Sequence, residues 1–169
     1  QEMKADFREV SREEIRDIRY GFEEQSFTYK GMKGLKPGLL GSWQIDNGAL
    51  AVEAVLALGE CGFPVTEEQM RKGLARTVWP GRFTVVDRHP LFVVDGAHNR
   101  DAADRLKETL DLYFPHKRKI FIAGVLADKE YDYVMGRLAP LADRVITVMT
   151  PDNPRALPAE SLAEDVKKY

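Results

Sequence analysis

One cysteine, Cys61, stands in the 169 residues, so no disulfide can close within the chain. A single thiol at the end of an apolar helix reads as a small core residue rather than as a nucleophile. No charge of one sign prevails. The formal net charge is -2, which removes any global attraction to nucleic acid or to an anionic membrane. No stretch approaches the roughly 20 apolar residues of a membrane span; the most apolar window, "ALAVEAVLAL" at 49–58, is broken by Glu53. A signal-peptide pattern, internal repeats and low-complexity tracts are all absent, and a cytoplasmic location is expected. No G-x-G-x-x-G follows a strand, which argues against a dehydrogenase. No G-x-x-x-x-G-K-[ST] phosphate loop occurs either, since "GMKGLKPG" (31–38) has glycines and lysines at the wrong spacing. The chain opens at Gln1 rather than Met, which reads as a fragment.

What is present suits one domain and a piece of another, with an apolar fraction ordinary for a globular core. Residues 1–40 read as short strands and turns. Asp46 or Asn47 is placed to cap a helix over about 47–58, apolar on all sides and therefore expected to be buried, with Gly59 and Gly62 ending it. "VTEEQM" carries a capping box, Thr66 with Gln69, and Val65 and Met70 at staple positions; that helix runs to about Thr77.

After "WPGR" (79–82) the texture changes. Residues 83–86 and 91–94 are strand-like. Asn99 can cap a helix with Asp101 and Asp104 near its positive end, and Ala102, Ala103, Leu106, Leu110 and Tyr113 share one face. "KIFIAGVLA" (119–127) and "RVITVM" (144–149) are further buried strands. A helix follows each, the first from about Lys129 with Val134, Leu138 and Leu141 inward, the second with Pro158 near its N1 position. Alternating strand and helix predicts an α/β fold, a Rossmann-like parallel sheet with helices on both faces. The hinge between domains is expected at 79–83.

Ligands of open parallel sheets bind beyond the carboxyl ends of the strands. "LFVVDGAHN" (91–99) places Asp95 at such an end. Its carboxylate can accept two hydrogen bonds from a ribose diol, or it can merely cap the turn. Gly96 allows close approach to the backbone. His98 and Asn99 fall at a helix N-terminus, where amides and dipole favour an anion; the alternative is a surface histidine with local partners. Arg82, after a Pro-Gly turn, is either simply exposed or placed to reach a phosphate bidentately. Gln44 and Asn47 in "GSWQIDNGALA" (41–51) read as caps or as ligands.

Taken together, "GSWQIDNGALA", "WPGRF", "DGAHN", "GVLADKEY" and "TPDNPRALPAESL" in this order resemble the folylpolyglutamate synthases, which include bifunctional dihydrofolate synthases, within the Mur-ligase-like ATP-dependent amide ligases. The resemblance covers roughly residues 30–169. It implies that residues 1–80 are the tail of a central P-loop ATPase domain and residues 81–169 a truncated Rossmann-like C-terminal domain. By matching positions it implies nucleotide contacts for Gln44, Asn47, Arg82 and Asp95, a catalytic-site histidine in His98, and glutamate contacts for Arg155 and Asn99. The substrates implied are ATP, L-glutamate and a folate or dihydropteroate, with Mg2+ held by residues outside this chain, acting in a monomer. Two positions depart from the pattern: Trp43 replaces the usual His before Gln44, and Arg100 the usual Pro after "DGAHN". Lacking the phosphate loop, the chain is not expected to ligate alone. The nearest rival is a peptidoglycan-precursor ligase, because "PDNPRA" (151–156) is similar to an amino-acid-binding motif of those enzymes; a non-catalytic Rossmann-like nucleotide-binding module is the other.

Overall fold

Three short antiparallel strands, β1 (Arg16–Arg19), β2 (Ser26–Tyr29) and β3 (Met32–Leu35), form a meander in the order β1-β2-β3. The computed structural model of the chain describes residues 7–169. Lys30 and Gly31 join β2 to β3 with φ of 46° and 79°, the left-handed geometry of a tight hairpin turn, for which glycine carries no steric cost. Helix α1 (Trp43–Glu60) and helix α2 (Glu67–Arg76) cover the meander. Phe27, Tyr29, Met32 and Leu35 meet Ile45, Ala49 and Val52 of α1 and Met70 of α2 in one core. Gly48 makes this seating possible: a Cβ there would lie 3.0 Å from the Phe27 ring.

Several expectations for α1 are corrected. The helix begins four residues before the predicted start, with Ser42 at its N-cap and no side-chain cap bond, so Asp46 and Asn47 lie inside its first turns. It is buried on one side only. Gln44, Ile45, Gly48, Ala49, Val52 and Glu53 are inward, whereas Leu50 and Leu58 are exposed. Gly59 lies within the helix, Cys61 is its C-cap, and that cysteine is exposed rather than in the core.

Glu53 replaces an apolar residue at an inward position because it has partners. Tyr29 Oη donates to its Oε1 at 2.6 Å and Lys30 Nζ lies 2.5 Å from the same oxygen. Hydrogen bonds from Lys30 and Tyr29 hold the Glu53 carboxyl below its ordinary value of 4.5, while burial and the Glu53 hydrogen bond push the Tyr29 phenol up. A carboxyl lowered on folding adds stability that is present above its unfolded value and lost as pH falls through the folded one. Glu53→Gln is therefore expected to flatten the fall in stability below about pH 4.5, read from denaturant midpoints across pH. Superimposable acid limbs for the two proteins would refute the assignment.

The capping box on α2 forms as predicted: Gln69 N donates to Thr66 Oγ1 at 3.2 Å and Thr66 N to Gln69 Oε1 at 2.8 Å. Met70 is buried, but Val65 is exposed. Thr66→Ala should cost about 1 kcal/mol, measurable as a shift in the denaturation midpoint with unchanged slope.

Strands β4 (Thr84–Arg88) and β5 (Leu91–Val94) pair with each other. The contact pattern divides the chain into two compact units between Val93 and Val94. In the second unit, helix α3 (Arg100–Tyr113), strand β6 (Ile120–Ala123), helix α4 (Tyr131–Leu138), strand β7 (Arg144–Thr147) and helix α5 (Ala159–Val166) alternate. β6 and β7 are parallel, in register from Ile120↔Arg144 to Ala123↔Thr147. The α/β class is as expected, and Asn99 caps α3 by accepting from Ala102 N at 2.9 Å. Pro158 occupies the N-cap of α5 rather than N1.

Burial of these strands differs from the expectation. Ala123 and Val145 pack on Met135, Ala139 and Leu162 of the α4 and α5 segments. On the opposite face Ile120 is 54% exposed, Ile122 57% and Ile146 44%. In β5 Leu91, Phe92 and Val94 are exposed as well. An uninterrupted apolar strand asks for a layer on each face; among the described residues β6 and β7 have one.

Candidate active site

In the first unit the amide-bearing turn is built from below. Gln25, 1% exposed, donates from Nε2 to Leu39 O at 2.7 Å and to Gly41 O at 3.2 Å. Gly41 has φ of 124°, and the six-membered ring of Trp43 lies against it, 3.0 Å from where a Cβ would stand. A larger residue at 41 would displace that ring. One helical step onward, Gln44 is buried and its Oε1 accepts from Asn47 Nδ2 at 3.0 Å. Asn47 itself is at the surface. The two predicted amides are thus brought together, with Gln44 steering Asn47 rather than standing exposed beside it.

The 79–84 turn presents Arg82. Arg82 N donates to Trp79 O at 3.2 Å and Gly81 N to Thr84 Oγ1 at 3.0 Å. Phe83 has φ of 44° yet is 2% exposed. Such a conformation in a bulky residue persists only where the surroundings over-determine it, here by burial of the ring. Arg82 is exposed and lines a cleft of about 440 Å3 with Lys36, Leu39, Trp79, Thr84 and Arg88. Lys36 and Arg88 are paired with Glu24 and Glu23, at 2.8 and 2.5 Å.

In the second unit, Asp95 Oδ1 accepts from Ala97 N at 2.9 Å, so the carboxylate does cap its turn. His98 Nδ1 lies 2.8 Å from Gly96 O. A carbonyl only accepts, so Nδ1 carries the proton and a neutral ring keeps its lone pair on Nε2. Asn99 spends its Oδ1 on the α3 cap, which leaves its amide nitrogen for any ligand. Asp95, Gly96, His98, Gly124, Lys129 and Tyr131 line one cavity of about 150 Å3.

Arg155 is not among the residues lining that cavity. Its Nη2 donates to Asp128 Oδ2 at 2.6 Å, and the guanidinium holds the Asp128 carboxyl below its ordinary range. Sequence reasoning assigned roles to neither Asp128 nor Lys129, although "GVLADKEY" ends a predicted strand at the edge where ligands bind. Arg100, the departure from the usual Pro, pairs with Glu130 at 2.6 Å and lies over the Tyr133 ring. Among the described residues no group of three His, Cys, Asp or Glu side chains is placed to hold a metal ion, and none of the helices is long and apolar enough to cross a membrane.

The sequence profile of the Mur ligase, glutamate ligase domain family matches residues 81–169. Folylpolyglutamate synthase of Lacticaseibacillus casei is 37% identical over 139 residues, 79% of this chain and 32% of that protein. Dihydrofolate synthase/folylpolyglutamate synthase of Bacillus subtilis is 33% identical over 138 residues, 81% of this chain and 31% of that protein. Among solved structures, Mycobacterium tuberculosis folylpolyglutamate synthase complexed with ADP superposes with a TM-score of 0.81 at 27% identity, over 91% of this chain and 35% of that one. An FPGS–AMPPCP–folate complex gives a TM-score of 0.73 at 31% identity, over 90% of this chain and 38% of that one. The chain spans about a third of the length of the curated relatives it matches.

Proposed function

The chain belongs to the Mur ligase, glutamate ligase domain family, and from that premise we propose that it is the C-terminal part of an ATP-dependent ligase that adds L-glutamate to folates. The observation that carries this reading is the cavity shared by Asp95 and His98 at the head of α3, within the matched residues. Residues 81–169 form the glutamate ligase domain, and residues 1–80 the end of a central ATPase domain. The enzyme is a cytoplasmic monomer, and the Mg2+ that accompanies ATP is held by residues outside this chain.

The γ-phosphate of ATP passes to a folate carboxylate, ADP leaves, and an acyl phosphate forms. The amine of glutamate then attacks the acyl carbon. A C–N bond forms, the C–O bond to phosphate breaks, and the amine loses a proton. Asp95 holds the ribose hydroxyls, Arg82 neutralises phosphate charge, and Asn47, steered by Gln44, contacts the adenine. His98 Nε2 is the acceptor for the amine proton, its tautomer being set by Gly96 O. Arg155 binds the α-carboxylate of glutamate through a planar fork, and the Asn99 amide nitrogen contacts the same substrate.

The acyl-phosphate step is tested by isotope transfer. With 18O in the terminal carboxylate of the folate, the phosphate released by the full-length enzyme should carry one 18O per turnover. Unlabelled phosphate alongside amide product would exclude that route.

A further inference from the structure

We infer that Asp128 is a positioning residue that pre-sets Arg155 for the incoming carboxylate, an inference that rests on the carboxylate-clamp reading of Arg155 given above. The segment after β6 and the segment after β7 are stitched together. Ala127 N donates to Arg155 O at 2.8 Å, Leu157 N donates to Val125 O at 3.0 Å, and Leu126 and Ala156 form an antiparallel bridge. Asn153 Oδ1 accepts from Arg155 N at 3.0 Å, and Asp152 turns the chain with φ of 51°. The Arg155 backbone is therefore held from both sides. Only the long side chain is left to be ordered, and Asp128 Oδ2 meets its Nη2 at 2.6 Å.

A guanidinium has five N–H donors in one plane, and this contact engages one nitrogen. A second carboxylate can approach another edge of the same plane, whose direction Asp128 has fixed. The pair is poorly suited to a folding role. Its side chains are 53% and 52% exposed, and exposed ion pairs contribute little to stability because water and salt screen them. Its effect belongs instead to pre-organisation, which reduces the freedom lost on binding. Asp128 also precedes Lys129, which lines the cavity shared by Asp95 and His98, so the clamp is anchored to the edge of that cavity.

The test is steady-state kinetics of the full-length enzyme carrying Asp128→Asn, Asp128→Glu, Arg155→Lys and the Asp128→Asn/Arg155→Lys pair, with glutamate and ATP varied separately. Asp128→Asn should raise the KM for glutamate about fivefold through lost pre-organisation, with kcat and the KM for ATP within about twofold. Asp128→Glu, which keeps the charge, should recover part of that loss. In the Arg155→Lys background Asp128→Asn should add little, because the two residues act as one unit. A lowered KM for glutamate would mark Asp128 as a competitor and overturn the inference. Additive losses, or equal losses for ATP and glutamate, would overturn it too. If Arg155→Lys impairs glutamate use while Asp128→Asn does not, the clamp stands and the positioning role falls. If Arg155→Lys leaves glutamate use unchanged, the clamp itself is wrong and the inference falls with it.

Discussion

Asp95→Asn in the full-length enzyme lowers kcat/KM for ATP by about tenfold or more, since charge-assisted hydrogen bonds contribute about 1.5–3 kcal/mol each and 1.4 kcal/mol is tenfold. The choice of asparagine follows from the geometry. Asp95 Oδ1 already accepts from Ala97 N at 2.9 Å, so removing the whole side chain would loosen the 95–97 turn and shift His98 with it. Asparagine keeps an oxygen for that turn and removes only the charge. Asp95→Ala removes both and should be the worse variant. A full-activity asparagine variant beside an impaired alanine one would reduce Asp95 to a turn cap.

Arg155→Lys raises the KM for glutamate by about tenfold or more, since about 1.4 kcal/mol is tenfold, and leaves the KM for ATP nearly unchanged. Lysine keeps the charge. It loses the planar fork that binds a carboxylate through two parallel bonds. The proposed roles differ by substrate: Arg155, bound to the loop after β6 through Asp128, is assigned to glutamate, whereas Asp95, Arg82, Gln44 and Asn47 are assigned to the nucleotide. Glutamate kinetics varied at saturating ATP, and the reverse, distinguish the cases. Unchanged glutamate dependence, or equal losses for both substrates, would remove Arg155 from the clamp.

Local signals in the sequence were legible where the chemistry was local. Thr66 and Gln69 formed their reciprocal cap, and Asn99 capped α3, because each needs only residues three apart. The α/β alternation of the second unit was equally readable from periodicity. Long-range partners were not. Glu53 looked like an interruption of an apolar helix until Tyr29 and Lys30, more than twenty residues earlier, were found on it. For the same reason α1 looked apolar all round, although only the side facing Phe27 and Tyr29 is buried. Gln25 carried no local signal at all, and its role in holding residues 39 and 41 is visible only in three dimensions. In the candidate site, Asp95 and His98 line one cavity and lie three positions apart, while the Asp128–Arg155 pair spans 27 positions and no spacing rule predicts it.

The measurement that bears most directly on the central reading is the mass of the product made by the full-length enzyme from ATP, a folate and L-glutamate. The account predicts a folate extended by one glutamyl residue, with one ADP and one phosphate released per amide formed and no ADP release when the folate is omitted. ATP turnover without an extended folate, or amide formation with a peptidoglycan precursor in place of the folate, would contradict it.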